Sequence, residues 1–219
     1  MFRFDLELPT LRIGWVRAAN VKVAPSDPEL LAAMASAEQA LRAAPESFPE
    51  PTRAAIRNLL RTADYKPTGR GKPASEFLYG AALGESGMPR VNNLVDINNL
   101  ASLRSAHPIS IFDADRVGPD LSLRHGRAGE SYVFNASGQS MDLKGLLVVC
   151  RGADSEPVGN AVKDSMLCKV HAETENVLAV VYGSRALPES ALRAVCDDLV
   201  NLLRAHAGAR ELSSGLCPD

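Results

Sequence analysis

Long apolar runs, paired cysteines and clustered histidines are all missing from this chain of 219 residues. No stretch approaches the ~18 unbroken apolar residues of a membrane span. The opening MFRFDLELPT does not follow the basic, apolar and small-residue order of a signal peptide. Cys150, Cys168, Cys196 and Cys217 form no C-x-x-C pair and no zinc spacing, so reduced thiols and a cytoplasmic location are expected. His107, His125, His171 and His206 make no H-E-x-x-H or other ligand cluster, so no metal is expected. Aromatic residues are only 5% of the chain, which leaves few platforms for stacking on bases. The net charge of −2 argues against indiscriminate binding of nucleic acid while leaving room for a local basic face.

Several short patterns approach known chemistry and fall short. GRGKP hints at a phosphate loop, but Lys66 stands where the first glycine of G-x-x-x-x-G-K-[ST] belongs and Pro73 replaces the hydroxyl residue. DADRVGPDLSLR begins like a calcium loop, yet its fifth position is Val117 and its twelfth is Arg124. GESGM is one residue short of the G-x-S-x-G elbow. These absences leave no cofactor to expect.

What is present is an ordinary globular composition, 46% hydrophobic and 23% charged, with no break that would divide it. FRFDLEL (Phe2 to Leu8) alternates as a half-buried strand does, and TLRIGWVRAANV supplies a second strand. SDPELLAAMASAEQALRAA opens with Ser26 and Glu29 at capping-box spacing and reads as a helix. EPTRAAIRNLLRTAD and KPASEFLYGAALGE follow as two further helices, the third starting at Pro73. LSLRHGR, ESYVFNASGQSMDL and GLLVVCRG are short β-prone runs that predict hairpins, with a turn at Ser137-Gly138. NVLAVVYG is continuous enough to be a strand buried on both faces. LPESALRAVCDDLVNLLRAHAG predicts a closing helix that stops at Gly208. The order points to a single α+β domain over residues 1–209, with N-terminal helices and a C-terminal helix on a mixed or antiparallel sheet. Residues 210–219 are expected to be a flexible tail.

The segment RVNNLVDINNL places Asn92, Asn93, Asp96, Asn98 and Asn99 among aliphatic residues that call for burial. Buried amides need partners, either the protein's own backbone or a ligand. With the continuation ASLRSAHPISIFDAD, the segment resembles the editing (B3/B4) domain of the bacterial phenylalanyl-tRNA synthetase β subunit. Asn92, Asn93, Asp96, Asn99, Pro108, Phe112, Asp113 and Asp115 fall on that family's V-N-N-x-V-D-x-T-N…P…F-D-x-D pattern without a gap. AETENVLAV (Ala172 to Val180) resembles its D-E-T-x-N-V-L, and YKPTGRGKPASEFL resembles the stand-alone members made of the editing domain without a synthetase.

The resemblance implies a freestanding, cytoplasmic trans-editing hydrolase. It would deacylate misacylated tRNA by water attack on the ester to the 3′-terminal adenosine. Such an ester is already activated, so a positioned water and donors for the oxyanion suffice. Asp96 and Asn99 are the candidate catalytic residues. Asn92, Asn93 and Asn98, with Asn160, Lys163, Asp164 and Ser165 on an opposite wall, are the candidate substrate contacts. The sequence departs from the synthetase at Ser110, where the family has a histidine in P-M-H-A-F-D. It also lacks the G-G-E-H-S-G segment whose glutamate recognises the tyrosine hydroxyl; Asp164 is the nearest acid. These departures favour a small polar side chain, serine or threonine, over tyrosine.

The stretch RTADYKPTGRGK carries Arg61, Lys66, Arg70 and Lys72 with one acid, Asp64. Lys66, Arg70 and Lys72 are the candidate contacts to tRNA phosphates. Tyr65 and Phe77 lie nearby, with Phe77 expected in the core. Partners are therefore the acceptor stem and 3′ end of tRNA, with no membrane partner and a monomer favoured. The alternative is a tRNA- or partner-binding module of the same fold without catalysis.

Overall fold

The computed structural model describes residues 2–63 and 65–218, so Asp64 lies outside the described residues. From the N-terminus, the alternating run forms β1 (Arg3–Leu6) and the next apolar run forms β2 (Leu11–Ala19). The helices α1 (Pro28–Ala43), α2 (Glu50–Leu60) and α3 (Ala74–Leu83) follow, then α4 (Asn93–Ser105) over the asparagine segment. Next come β3 (Ile109–Asp113), the single-turn α5 (Ala114–Val117) and β4 (Asp120–His125). The hairpin β5 (Ser131–Val133) and β6 (Ser140–Asp142) precedes β7 (Leu147–Arg151) and β8 (Glu156–Asn160). The chain closes with β9 (Asn176–Ser184), α6 (Glu189–His206) and β10 (Glu211–Cys217). No helix among the described residues is long and apolar enough to cross a membrane.

Two four-stranded sheets organise the α+β fold. One runs β10-β2-β9-β3 and is antiparallel throughout; the other runs β1-β4-β7-β8, with β1 parallel to β4. Strand β9 explains its own unbroken apolar sequence. Val177, Ala179 and Val181 face the core shared with α1, α4 and α6, while Leu178, Val180 and Tyr182 face the second core beneath the other sheet. Successive strand residues point to opposite faces, so a strand covered on both sides has no polar positions to spare. The close seat of α6 on β2 depends on Gly14, where a Cβ would lie 2.5 Å from Cys196 Sγ.

Two expectations give way. The C-terminal residues are not a loose tail, because 211–217 pair with 13–19 and form the edge of the sheet. Ser26 does not cap α1. Asp27 does, accepting from Leu30 N at 2.7 Å, and Ser26 Oγ donates instead to Asp96 Oδ2 at 2.7 Å. Strand β3 is the other edge of that sheet, and α4 lies beside it, which sets the position of the site.

Candidate functional site

Helix α4 starts from Asn92, whose side chain accepts from Val95 N at 3.0 Å as an N-cap. Asn93 is buried and fully engaged: its amide donates to Lys22 O and His206 O, and its oxygen accepts from Ala24 N and Leu94 N. Asp96, also buried, accepts from Val91 N through one oxygen and from Ser26 Oγ through the other. Asn93 and Asp96 thus tie α4 to the β2–α1 connection and the end of α6, and neither lines a cavity. In this structure Asn92 caps the helix, and Asn93 and Asp96 give their side-chain polar atoms to backbone groups and the Ser26 hydroxyl, so the three are not brought to the cavity with Asn98 and Asn99.

One turn further the helix changes character. Val95, Asn98, Asn99 and Ser102 share one face by helical spacing and line a cavity of about 690 Å³. The cavity is bounded by α3, the turn at Gly69 to Lys72, the loop before α4, Ile109 and the turn at Val162 and Lys163. Its walls are mainly apolar, with the amides as convergent polar groups. Asn98 Nδ2 donates to Ile109 O at 3.1 Å, which orients the amide and leaves Oδ1 buried with no partner among the described residues. Asn99 is nine-tenths buried and its side chain makes no hydrogen bond among the described residues. A buried acceptor without a donor costs about 1–3 kcal/mol, which a ligand donor would recover.

The opposite wall is smaller than expected. Lys163 reaches the cavity, its Nζ 4.1 Å from the centroid of the Phe134 ring. Asn160 folds back, its oxygen accepting from Val162 N and Lys163 N and its amide donating to Tyr132 Oη. Ser165 caps a short 3-10 turn by accepting from Leu167 N. Neither lines the cavity: Asn160 satisfies the turn that presents Lys163, and Ser165 the turn that follows it. Asp164 also points elsewhere, across the β3 edge to Ser110, whose Oγ donates to Asp164 Oδ1 at 2.6 Å and lies 2.9 Å from Tyr182 Oη.

Ser110 occupies the position of the family's histidine, and the structure brings the nearest acid directly to it. Gly159 makes that approach possible: a Cβ there would stand 2.6 Å from Asp164 Oδ1 and 2.5 Å from Phe112 Cζ. Burial pushes the Asp164 carboxyl up to about 7, opposed by the Ser110 hydrogen bond and by Lys169. Burial also lowers Lys169 and raises Tyr182. Asp164 Oδ2 has no partner among the described residues, and the side chain retains partial solvent access.

Arg70 and Lys72 stand on the cavity lining, and neither has an acidic partner among the described residues. Lys66 is exposed in the same loop but does not line the cavity. Glu76, the one acid on the lining among the described residues, is neutralised by Arg57, which donates to both its oxygens at 2.5 and 2.6 Å. Phe77, expected in the core, is instead 65% exposed on the lining. Val95, Ser102 and Phe77 were not anticipated, although the i, i+3, i+4, i+7 spacing from Val95 marks the working face of α4.

The residues that carry the resemblance mostly hold the fold. Asp113 caps α5 and accepts from Thr174 Oγ1 at 2.7 Å, and Asn176 donates to Asp115 Oδ2 at 2.9 Å, so F-D-A-D and E-T-E-N clasp each other. Among the described residues no three His, Cys, Asp or Glu side chains converge as metal ligands.

The β subunit of phenylalanine–tRNA ligase from Bordetella pertussis is 31% identical over 171 residues, covering 66% of this chain and 21% of its own length. That from Streptococcus mutans serotype c is 27% identical over 125 residues, covering 56% and 15%. The chain thus spans about a fifth of the length of the first of these relatives. An N-terminal fragment of the phenylalanyl-tRNA synthetase β subunit from Pyrococcus horikoshii aligns with a TM-score of 0.47 at 15% identity, over 57% of this chain and 45% of that one. Residues 70–208 match the B3/4 domain, and the chain belongs to that family.

Proposed function

We propose that this chain is a trans-editing deacylase that hydrolyses the ester of a misacylated tRNA. The observation that carries the proposal is the pair Asn98 and Asn99 on the cavity lining, with hydrogen-bonding groups unmet among the described residues, beside Arg70 and Lys72, which have no acidic partner among those residues. Asn98 Oδ1 accepts from the α-ammonium of the bound aminoacyl group, and the Asn99 amide donates to the carbonyl oxygen. Water adds to the carbonyl carbon, and the charge that develops on oxygen is held by the Asn99 donor. Collapse of the adduct breaks the bond to the ribose oxygen, which takes the proton by way of the vicinal hydroxyl. The products are the free amino acid and the tRNA 3′ hydroxyl.

Serine or threonine as the amino acid is favoured by the sequence departures at Ser110 and Asp164, although neither residue lines the cavity. The apolar walls at Val95, Ile109 and Val162 favour an aliphatic side chain as the second reading. Arg70 and Lys72 neutralise phosphates of the tRNA end, which makes binding salt-sensitive. The test is incubation of the purified chain with a panel of aminoacyl-tRNAs, charged correctly and incorrectly, following loss of the amino acid. Hydrolysis confined to one or two side chains is expected. A flat result across the panel with tRNA binding intact would leave the non-catalytic binding module of the same fold.

A further inference from the structure

Among the described residues, the two most exposed large apolar side chains are Phe77, at 65%, and Val91, at 63%, and both lie on the lining of the Asn98–Asn99 cavity. The first position of interest is Phe77. An aromatic ring on a helix that has a core to join is normally drawn inward, and α3 does bury Leu78 and Ala82. Phe77 is left outside, beside Arg70 and Lys72, which find no acid among the described residues. Glu76, the only acid on the lining among the described residues, already accepts from Arg57 with both oxygens. On the same lining, Asn98 carries a buried acceptor, Oδ1, that no donor among the described residues satisfies.

A flat apolar face, unpaired cations and an unmet acceptor together fit a single-stranded nucleic-acid end. The base offers a face to stack, the phosphates offer negative charge, and the ribose hydroxyls or an attached ammonium offer donors. A protein partner would match the apolar face but leave Arg70, Lys72 and Lys163 to find acids of its own. The open depression of about 810 Å³ alongside shares Arg70 and Lys163 with the cavity, so the cations stand at the junction of the two. This arrangement suits a strand that passes the junction and ends in the cavity.

We infer that Phe77 is the stacking platform for the 3′-terminal base of tRNA, with Arg70 and Lys72 on the adjoining phosphates. The inference deepens the deacylase proposal and rests on it. Phe77 positions the ester end over Asn98 and Asn99 and takes no part in bond making.

The experiment uses the whole chain and uncharged tRNA carrying 2-aminopurine as its terminal base, compared with the same tRNA lacking that nucleotide. The wild-type chain should quench the fluorescence and bind the complete tRNA about tenfold or more tightly than the shortened one. Phe77→Ala should lose both the quench and that tenfold preference, while thermal unfolding and binding of the shortened tRNA stay unchanged. Phe77→Leu should behave as Phe77→Ala, because it keeps apolar area without a π face, and Phe77→Trp should restore both signals. Equal quench and equal preference in Phe77→Ala and wild type overturn the stacking role and leave the deacylase proposal standing. No binding of either tRNA by the wild-type chain at low salt overturns both.

Discussion

At the start of α4, Asn93 and Asp96 give every side-chain polar atom to the protein itself, to Lys22, Ala24, Ser26, Val91, Leu94 and His206. One turn further along, Asn98 and Asn99 keep polar atoms that nothing in the described protein meets. The helix is the same, and asparagine stands on both sides of the comparison. The difference is what lies opposite: the first turn meets loop backbone that needs donors and acceptors, and the second meets a cavity. An amide is therefore a structural group or a binding group according to its surroundings, and its chemistry alone does not tell which.

Mutation separates the two ends. Asn93→Ala removes four hydrogen bonds from a buried position and should cost about 3 kcal/mol or more of stability, read as a lower urea midpoint at unchanged slope. Asp96→Ala strands Val91 N–H and the Ser26 hydroxyl and should cost about 2 kcal/mol by the same measurement. An intact midpoint in either variant would erase the distinction between the two ends of the helix.

Much of the fold was legible because its causes are local or periodic. The run from Val177 to Tyr182 is apolar at every position because both faces are covered, and that pattern needs no knowledge of the partner. The strand Glu211–Cys217 was not legible. Its sequence ELSSGLC is half exposed at the sheet edge, and its order comes from backbone bonds to residues 13–19, some 200 positions away. The cap at Asp27 was misplaced to Ser26 for a related reason, since the Ser26 hydroxyl is claimed by Asp96 across the molecule. At the site, the sequence singled out the segment and the basic loop that meet at the cavity. It did not reveal which amides face inward, nor that Phe77 stays outside, because both depend on how α3 and α4 meet. The helical phase of Val95, Asn98, Asn99 and Ser102 was the available signal.

Smaller effects sharpen the comparison at the other side of β3. The folded Asp164 carboxyl titrates at about 7 against an ordinary 3.8, so between those values the folded chain holds a proton that the unfolded chain has lost. Stability should fall as pH rises from about 4 to about 7 and level off above. Asp164→Asn should remove that fall, so a pH series of urea unfolding that keeps its slope in the variant would assign the effect to another group. In the basic loop, Lys72→Ala should lower the dependence of log affinity on log salt by about 1, one phosphate contact. Lys66→Ala, away from the cavity lining, should change tRNA affinity by less than about twofold at the same ionic strength.

The most direct test of the central claim, that the second turn of α4 is the working face, is the rate at which Asn99→Ala releases the amino acid from the aminoacyl-tRNA that the wild-type chain hydrolyses, measured beside its urea midpoint. The account predicts a rate lower by about tenfold or more with stability within about 0.5 kcal/mol of wild type. A wild-type rate, or a loss of rate matched by a loss of stability like that of Asn93→Ala, would contradict it.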